Sequence, residues 1–260
     1  MPFTAKSGKF NASINTVEFG TGDKAVKIGG ENVFPLYSFD AAIENAPKVG
    51  IEITDFGMEH EPECIKKYYE GCATLADMAR KAASMEGVDF LSFRMEGGDP
   101  NGANKSTEEL IGELKEIADA VDLPLVVCGC KNVEKDAELF SKAAEALNGK
   151  NAVILSAKEE NYKTVGAAAG LAYKQIVGAE SAVDINLAKQ LNVLISQLGV
   201  DSKSVVMNVG SAAVGYGFEY VISTMDRVKA AALQQGDANL QMPIITPVAS
   251  EAWGVKEAMA

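Results

Sequence analysis

The sequence has one histidine, His60, in 260 residues. That excludes a multi-histidine metal centre and leaves a single imidazole for acid–base work. Bases are also scarce: 24 Lys and Arg stand against 36 Asp and Glu, a net charge of -12. Nucleic-acid binders usually present a basic face, so no such partner is expected. No apolar run approaches the roughly 20 residues of a membrane span. The N-terminus, MPFTAKSGKFNASINTVEFG, lacks the apolar stretch of a signal peptide. The expectation is a cytoplasmic protein with no membrane contact. The four cysteines, Cys64, Cys72, Cys128 and Cys130, are too few for a disulfide framework in a chain this long. A C-x-C pair with two distant cysteines is a poor match to zinc or iron–sulfur spacing, so reduced thiols beside a strand end are expected. GxSxG, HExxH and GxGxxG are absent as well.

What is present is an alternation. Short apolar runs rich in β-branched residues recur at 49–56, 88–95, 123–129, 151–157, 173–178, 204–210 and 243–248. They do not alternate with polar residues, which points to parallel strands buried on both faces. Helical periodicity fills the gaps. Ser106 and Glu109 suit a capping box ahead of Leu110, Leu114, Ile117 and Ala118. Leu139, Phe140, Ala143, Ala144 and Leu147 share one face, with Gly149 as a stop. Asp184 is an expected N-cap for a helix through Leu191 and Ile195 that Gly199 ends.

Repeated β-then-α units of this size predict an α/β fold, a (β/α) barrel of the TIM type, over residues 46–260. Residues 1–45 form an N-terminal extension. In it, KAVKIGGENVFPL predicts a β-hairpin with a Gly-Gly-Glu-Asn turn, placed to plug the bottom of the barrel. Only seven strands can be counted, so the eighth unit is expected to be lacking.

Loops that follow the strands of such a barrel build its working face. Here they are EGGDPNGAN, CGCKNVEKD, AKEENYK, AESAVDIN, NVGSAAVGYGFEY and TPVASEAW, rich in Asn, Asp, Glu and Gly. Asp99, Asn101, Asn104, Asn161, Asp184, Asn186 and Asn208 are the candidate hydrogen-bonding residues. Gly215, Tyr216 and Gly217 form a candidate glycine loop that lets a large planar ligand reach the backbone. Asp99-Pro100-Asn101-Gly102 also reads as an ordinary β-turn, and both readings stand. Lys174, at a strand start, is expected to face solvent rather than act as a Schiff-base lysine. His60, in the loop after the first strand, is more readily a surface residue than a catalyst, and Trp253 is read as packing. No nucleophile–base pair emerges; the face looks built to position a ligand whose reactive part comes from elsewhere.

The runs DPNGANKS after FLSFRMEGG, PLVVCGCKNVEKD, AKEENYKT, DINLAKQLNVLI, GYGFEYVISTMDRVKAAALQ and MPIITPVASEAW resemble the small subunit of the corrinoid iron–sulfur protein, also called the delta subunit of the acetyl-CoA decarbonylase/synthase complex. The resemblance runs from about residue 25 to the C-terminus. It implies a TIM barrel similar to pterin-binding methyltransferases. It implies a large (gamma) subunit as partner, carrying the [4Fe–4S] cluster, with a corrinoid (cobalamin) shared between that subunit and the barrel's top face. The implied role is transfer of a methyl group from a methyltetrahydropterin to acetyl-CoA synthase in the reductive acetyl-CoA (Wood–Ljungdahl) pathway of anaerobes, the methyltransferase and acetyl-CoA synthase being transient partners. In the similar pterin-binding enzymes Asp and Asn at strand ends hold the pterin. Asp99, Asn104, Asp184 and Asn208 stand at comparable strand-end places here. The family continues past EAWGVKEA into a last strand and helices, so this sequence is expected to be C-terminally truncated relative to it. Two alternatives remain: a stand-alone pterin-dependent methyltransferase, and an interaction scaffold without ligand contact.

Overall fold

The computed structural model describes residues 8–34, 40–252 and 255–256. Six parallel strands stand side by side in chain order: β3 (Gly50–Thr54), β4 (Phe90–Arg94), β5 (Leu125–Cys128), β6 (Val153–Ala157), β7 (Ile176–Glu180) and β8 (Val205–Asn208). Each hydrogen-bonds its sequence neighbour. Helices connect them: α1 (Glu63–Tyr68) and α2 (Leu75–Ala83), then α3 (Thr107–Ala120), α4 (Val133–Ala146), α5 (Tyr162–Val165), α6 (Ile185–Gln197) and α7 (Phe218–Leu233), with a short α8 (Ala249–Ala252) last. This is an α/β architecture consistent with a TIM-like fold.

The unbroken apolar runs have a direct cause. Every residue of β5, β6 and β8 is buried, because both faces of the sheet are covered. Leu91, Phe93, Val127, Ile154 and Met207 pack outward with the apolar faces of the helices. Val126, Cys128, Val153, Leu155, Ile176 and Val206 form a second, inner cluster. Within α3, Leu110, Leu114 and Ile117 are almost fully buried, each contributing about 1.5–3 kcal/mol. Ser106 caps α3, its hydroxyl accepting the Glu109 amide at 3.2 Å. The complete reciprocal box lies at the start of α2, between Thr74 and Asp77.

Two expectations are corrected. The antiparallel pair of the N-terminal extension is β1 (Val17–Phe19) with β2 (Val26–Ile28), not residues 26–28 with 33–34. The expected Gly-Gly-Glu-Asn turn stays open because an upstream segment supplies partners: Gly30 donates to Ile14 and Ile14 to Glu31. Pro35 and Leu36 of that prediction lie outside the described residues. The expected strand at 243–248 is reduced to a parallel bridge between Met207 and Ile244. Two hydrogen bonds hold it, Met207 to Pro243 and Ile245 to Met207. Proline at 243 has no amide to extend the ladder.

The ribbon of β1 and β2 covers the starts of the strands, where Val17, Phe19 and Val26 complete the inner cluster. Asn151, just before β6, holds it by donating to the carbonyls of Glu18 and Gly20. On one side the inner space is open. A cavity of about 800 Å³ runs between β3 and residues 243–249, lined by Phe19, Phe90, Val126, Leu155 and Ile244. Lys229 of α7 enters it in an ion pair with Glu31.

Candidate functional site

Six parallel strands in one sheet deliver their following loops to one end. At its centre is a polar pocket of about 70 Å³. Its residues come from the last positions of the strands, where the inward side of each strand turns from apolar to polar. Arg94 ends β4 and is 8% exposed; its Nε and Nη2 meet the two carboxylate oxygens of Glu52 on β3 at 3.0 and 2.9 Å. This bidentate geometry fixes the guanidinium plane. Asn208 ends β8 and is buried. Its amide nitrogen donates to Ser156 Oγ at 2.9 Å and to Glu180 at 3.4 Å, and its oxygen accepts the Gly210 amide. Ser156 lies where the β6–β7 register shifts, an irregularity of the kind that re-aims side chains. Lys158 pairs with Glu180 at 3.4 Å.

The loop after β5 contributes a second constraint. Asp136, in the first turn of α4, accepts the Cys130 amide at 2.7 Å. A Cβ on Gly129 would lie 2.1 Å from that carboxylate, so only glycine fits. Burial pushes the Asp136 carboxyl up. It likewise pushes the Cys128 thiol up to about 11 and Cys130 to about 12, which leaves both as inert thiols. Counting the pocket's charged lining, Arg94, Lys131 and Lys158 balance Asp136, Glu180 and Glu251. Lys131 is paired with Glu251 at 2.6 Å. Among the described residues no group of three or more His, Cys, Asp or Glu is placed to hold a metal ion.

Around the pocket stand the loops. In EGGDPNGAN, Asp99 turns its carboxylate onto its own loop, accepting the Asn101 amide at 3.0 Å and its side chain at 3.2 Å. Asn101 and Asn104 are exposed, and Asn104 has a left-handed backbone, φ +51°. The whole loop is clasped from below. Buried Asp55, just past β3, takes the Gly97 amide on both oxygens and the Lys105 ammonium at 3.0 Å. Lys105 reaches on to Glu113 at 3.2 Å and lies over the Phe56 ring. Asn161 is buried and bridges the Lys158 amide to the Val133 carbonyl. Asp184 caps α6 through the Asn186 and Leu187 amides, and Asn186 is exposed in the first turn. Val183, a β-branched residue, is held at φ +67° beside it, a strained arrangement at a loop that faces this end. Gly215 and Gly217 take φ +79° and +115°, and Val214, Tyr216 and Tyr220 are exposed along this loop and the start of α7.

Of the residues singled out from sequence, Asn208 lines the pocket. Asp99, Asn101, Asn104, Asp184, Asn186, Gly215, Tyr216 and Gly217 stand on the loops around it, and Asn161 is spent on backbone bonds. Sequence reasoning missed Glu52, Arg94, Lys158 and Glu180, and the clasp of Asp55 and Lys105. The signal was available for two: Glu52 and Arg94 are charges inside otherwise apolar strand runs. Lys174 is exposed at the opposite end of β7, and His60 is exposed against the edge of Phe56, ring centroids 4.8 Å apart. Trp253 lies outside the described residues. No helix among the described residues is long and apolar enough to cross a membrane.

Comparison with known proteins places these features in context. The family model described as CO dehydrogenase/acetyl-CoA synthase delta subunit matches residues 16–260. Acetyl-CoA decarbonylase/synthase complex subunit delta of Methanothermobacter thermautotrophicus is 32% identical over 95% of this chain and 63% of its own length. The proteins of the same name from Methanopyrus kandleri and Archaeoglobus fulgidus are 33% and 31% identical over 92% of this chain, and over 59% and 53% of their own lengths. The chain thus spans a little over half to three fifths of the length of these curated relatives.

Proposed function

The chain belongs to the CO dehydrogenase/acetyl-CoA synthase delta subunit family, and from that premise we propose that it is the small, corrin-cradling subunit of a corrinoid iron–sulfur protein. Its partner is a large subunit that brings both the corrinoid and the [4Fe–4S] cluster. The assembly accepts a methyl group from a methyltetrahydropterin and passes it to acetyl-CoA synthase, in the cytoplasm, with methyltransferase and synthase as transient partners. The match over residues 16–260 carries this reading.

The residues at the strand ends fit such a group. A corrin offers a flat apolar body and a periphery of polar side chains. The polar pocket contains a buried Ser211 hydroxyl without a hydrogen-bond partner, and the loop that follows presents exposed Val214 and Tyr216. The corrinoid supplies the cobalt that carries the methyl group. This chain's own part is to hold, orient and shield: Asp99, Asn104, Asp184, Asn186 and Tyr216 frame the rim, and Asn208 and its neighbours form the floor. We read the six strands and the 243–248 segment as a (β/α)8-type barrel, with the apolar opening beside β3 as the place of a further strand.

The test is to co-purify the chain with the large subunit and record the corrinoid absorbance spectrum. Binding by the pair, with a spectrum protected relative to the large subunit alone, is the expected result. Micromolar binding of methyltetrahydrofolate by the isolated chain, lost in Asp99→Ala or Asn208→Ala, would instead identify a stand-alone methyltransferase. An unchanged spectrum and methyl-transfer rate after Asp99, Asn104 and Tyr216 are replaced together would leave only a scaffold.

A further inference from the structure

We infer that the strand-end pocket is a socket for one neutral primary carboxamide. Its volume, about 70 Å³, is several times the roughly 10–15 Å³ that holds one water. It admits a side-chain head group. Its lining charges balance, Arg94, Lys131 and Lys158 against Asp136, Glu180 and Glu251. Arg94 is forked onto Glu52, Lys158 pairs with Glu180 and Lys131 with Glu251, and Asp136 accepts the Cys130 amide. An entering anion would meet Glu180 and Asp136 as well as Lys158, and an entering cation would meet Arg94 and Lys158 as well as those carboxylates. What the pocket leaves unmet is dipolar. The Ser211 hydroxyl is buried and unpartnered, and a hydroxyl both donates and accepts. Glu180 retains acceptor capacity, and Lys158 has N–H donors beyond the one aimed at Glu180.

A carboxamide matches this set: its carbonyl accepts from Lys158 or Ser211, and its NH₂ donates to Glu180. Buried polar groups are costly when unpaired, which favours such a group over an apolar one. Asn208 takes no part as a donor, because its amide is spent on Ser156 and Glu180; it holds Glu180 in place. The source of the carboxamide rests on the corrin reading, since a corrin's periphery carries several such groups.

Two measurements separate the socket from that reading. The first uses the full chain with acetamide or acetate as probe, followed by the backbone amide resonances of Gly210 and Ser211. Acetamide is expected to shift them, acetate to leave them, and Ser211→Val to abolish the response while the thermal midpoint and circular dichroism stay unchanged. An equal response to acetate, or an undiminished acetamide response in Ser211→Val, overturns the inference. The second uses the chain with the large subunit and compares cobinamide, which keeps its side-chain amides, with cobyrinic acid, in which they are carboxylates. Cobinamide is expected to bind about tenfold more tightly, a preference lost in Ser211→Val. A positive acetamide response with no corrinoid binding keeps the socket and removes the corrin as its ligand.

Discussion

Both carboxylate oxygens of Asp55 receive the amide of Gly97, at 2.9 and 3.1 Å, across 42 residues of sequence. The same carboxylate, fully buried, holds the Lys105 ammonium at 3.0 Å. One side chain thus fixes the first residues and the exit of the glycine-rich loop that rims the site. Asp55→Ala would leave the buried Gly97 N–H unpaired and leave Lys105 with Glu113 as its remaining carboxylate, with an expected loss of about 1–3 kcal/mol in urea unfolding. Gly97→Ala places a Cβ 2.3 Å from Asp55 Oδ2 and is expected to cost about 1–3 kcal/mol. A loss under half a kcal/mol for both would show that the clasp does not hold the loop.

The Glu52–Arg94 fork is testable as a pair. Either side chain alone is a buried charge, so Arg94→Met and Glu52→Gln are each expected to destabilise strongly. The double variant should recover part of the loss, with a coupling of about 1–3 kcal/mol in a double-mutant cycle. Strict additivity would mean that the two side chains do not depend on each other. Arg94→Lys keeps the charge but loses the fork, and its stability should fall between wild type and Arg94→Met.

The thiols should label in a fixed order. Burial holds Cys128 near 11 and Cys130 near 12, whereas Cys64 is exposed. With iodoacetamide at pH 8, peptide mass spectrometry should find Cys64 alkylated first and Cys128 and Cys130 last, since the thiolate is the reacting form. Early modification of Cys128 in the native protein would contradict its burial between the strands.

Asp77 gives a pH signature. Hydrogen bonds from the Thr74 side chain and the Ala73 amide hold its carboxyl below the ordinary 3.8. A lowered folded value means the carboxylate form is favoured by folding. Its contribution is therefore present above about pH 4 and is lost as pH falls through the folded value. Asp77→Ala should lower the urea midpoint at pH 7, and the gap to wild type should narrow steadily below pH 3.8. A gap independent of pH would place its effect in packing rather than in the carboxylate.

The strands and helices were legible because burial leaves a period. In α4 the five residues predicted to share a face, Leu139, Phe140, Ala143, Ala144 and Leu147, are all buried. The strand runs lack alternation because both faces of the strands are buried. The N-terminal pairing was not legible: local turn chemistry at Gly29-Gly30 pointed downstream, while the true partners lie upstream in the polar stretch that includes Ile14. For the site, loop composition pointed to the end of the sheet where the polar pocket lies. It could not show that Asp99 hydrogen-bonds its own loop or that Asn161 is consumed by backbone groups. Nor could it reveal the Lys158–Glu180–Asn208 set, whose members lie on three different strands or their ends and meet only through register.

The tie between Asn151 and Glu18 spans 133 residues, and that separation has a kinetic consequence. On a ribosome adding about 5–20 residues per second, the β1–β2 ribbon waits on the order of ten seconds before the strand it docks on exists. Until Val153 and the later strands are made, Val17, Phe19 and Val26 lack part of the inner cluster that covers them. The ribbon is thus made well before the partner that fixes it, and nascent chains arrested before residue 151 should be cut by protease within it.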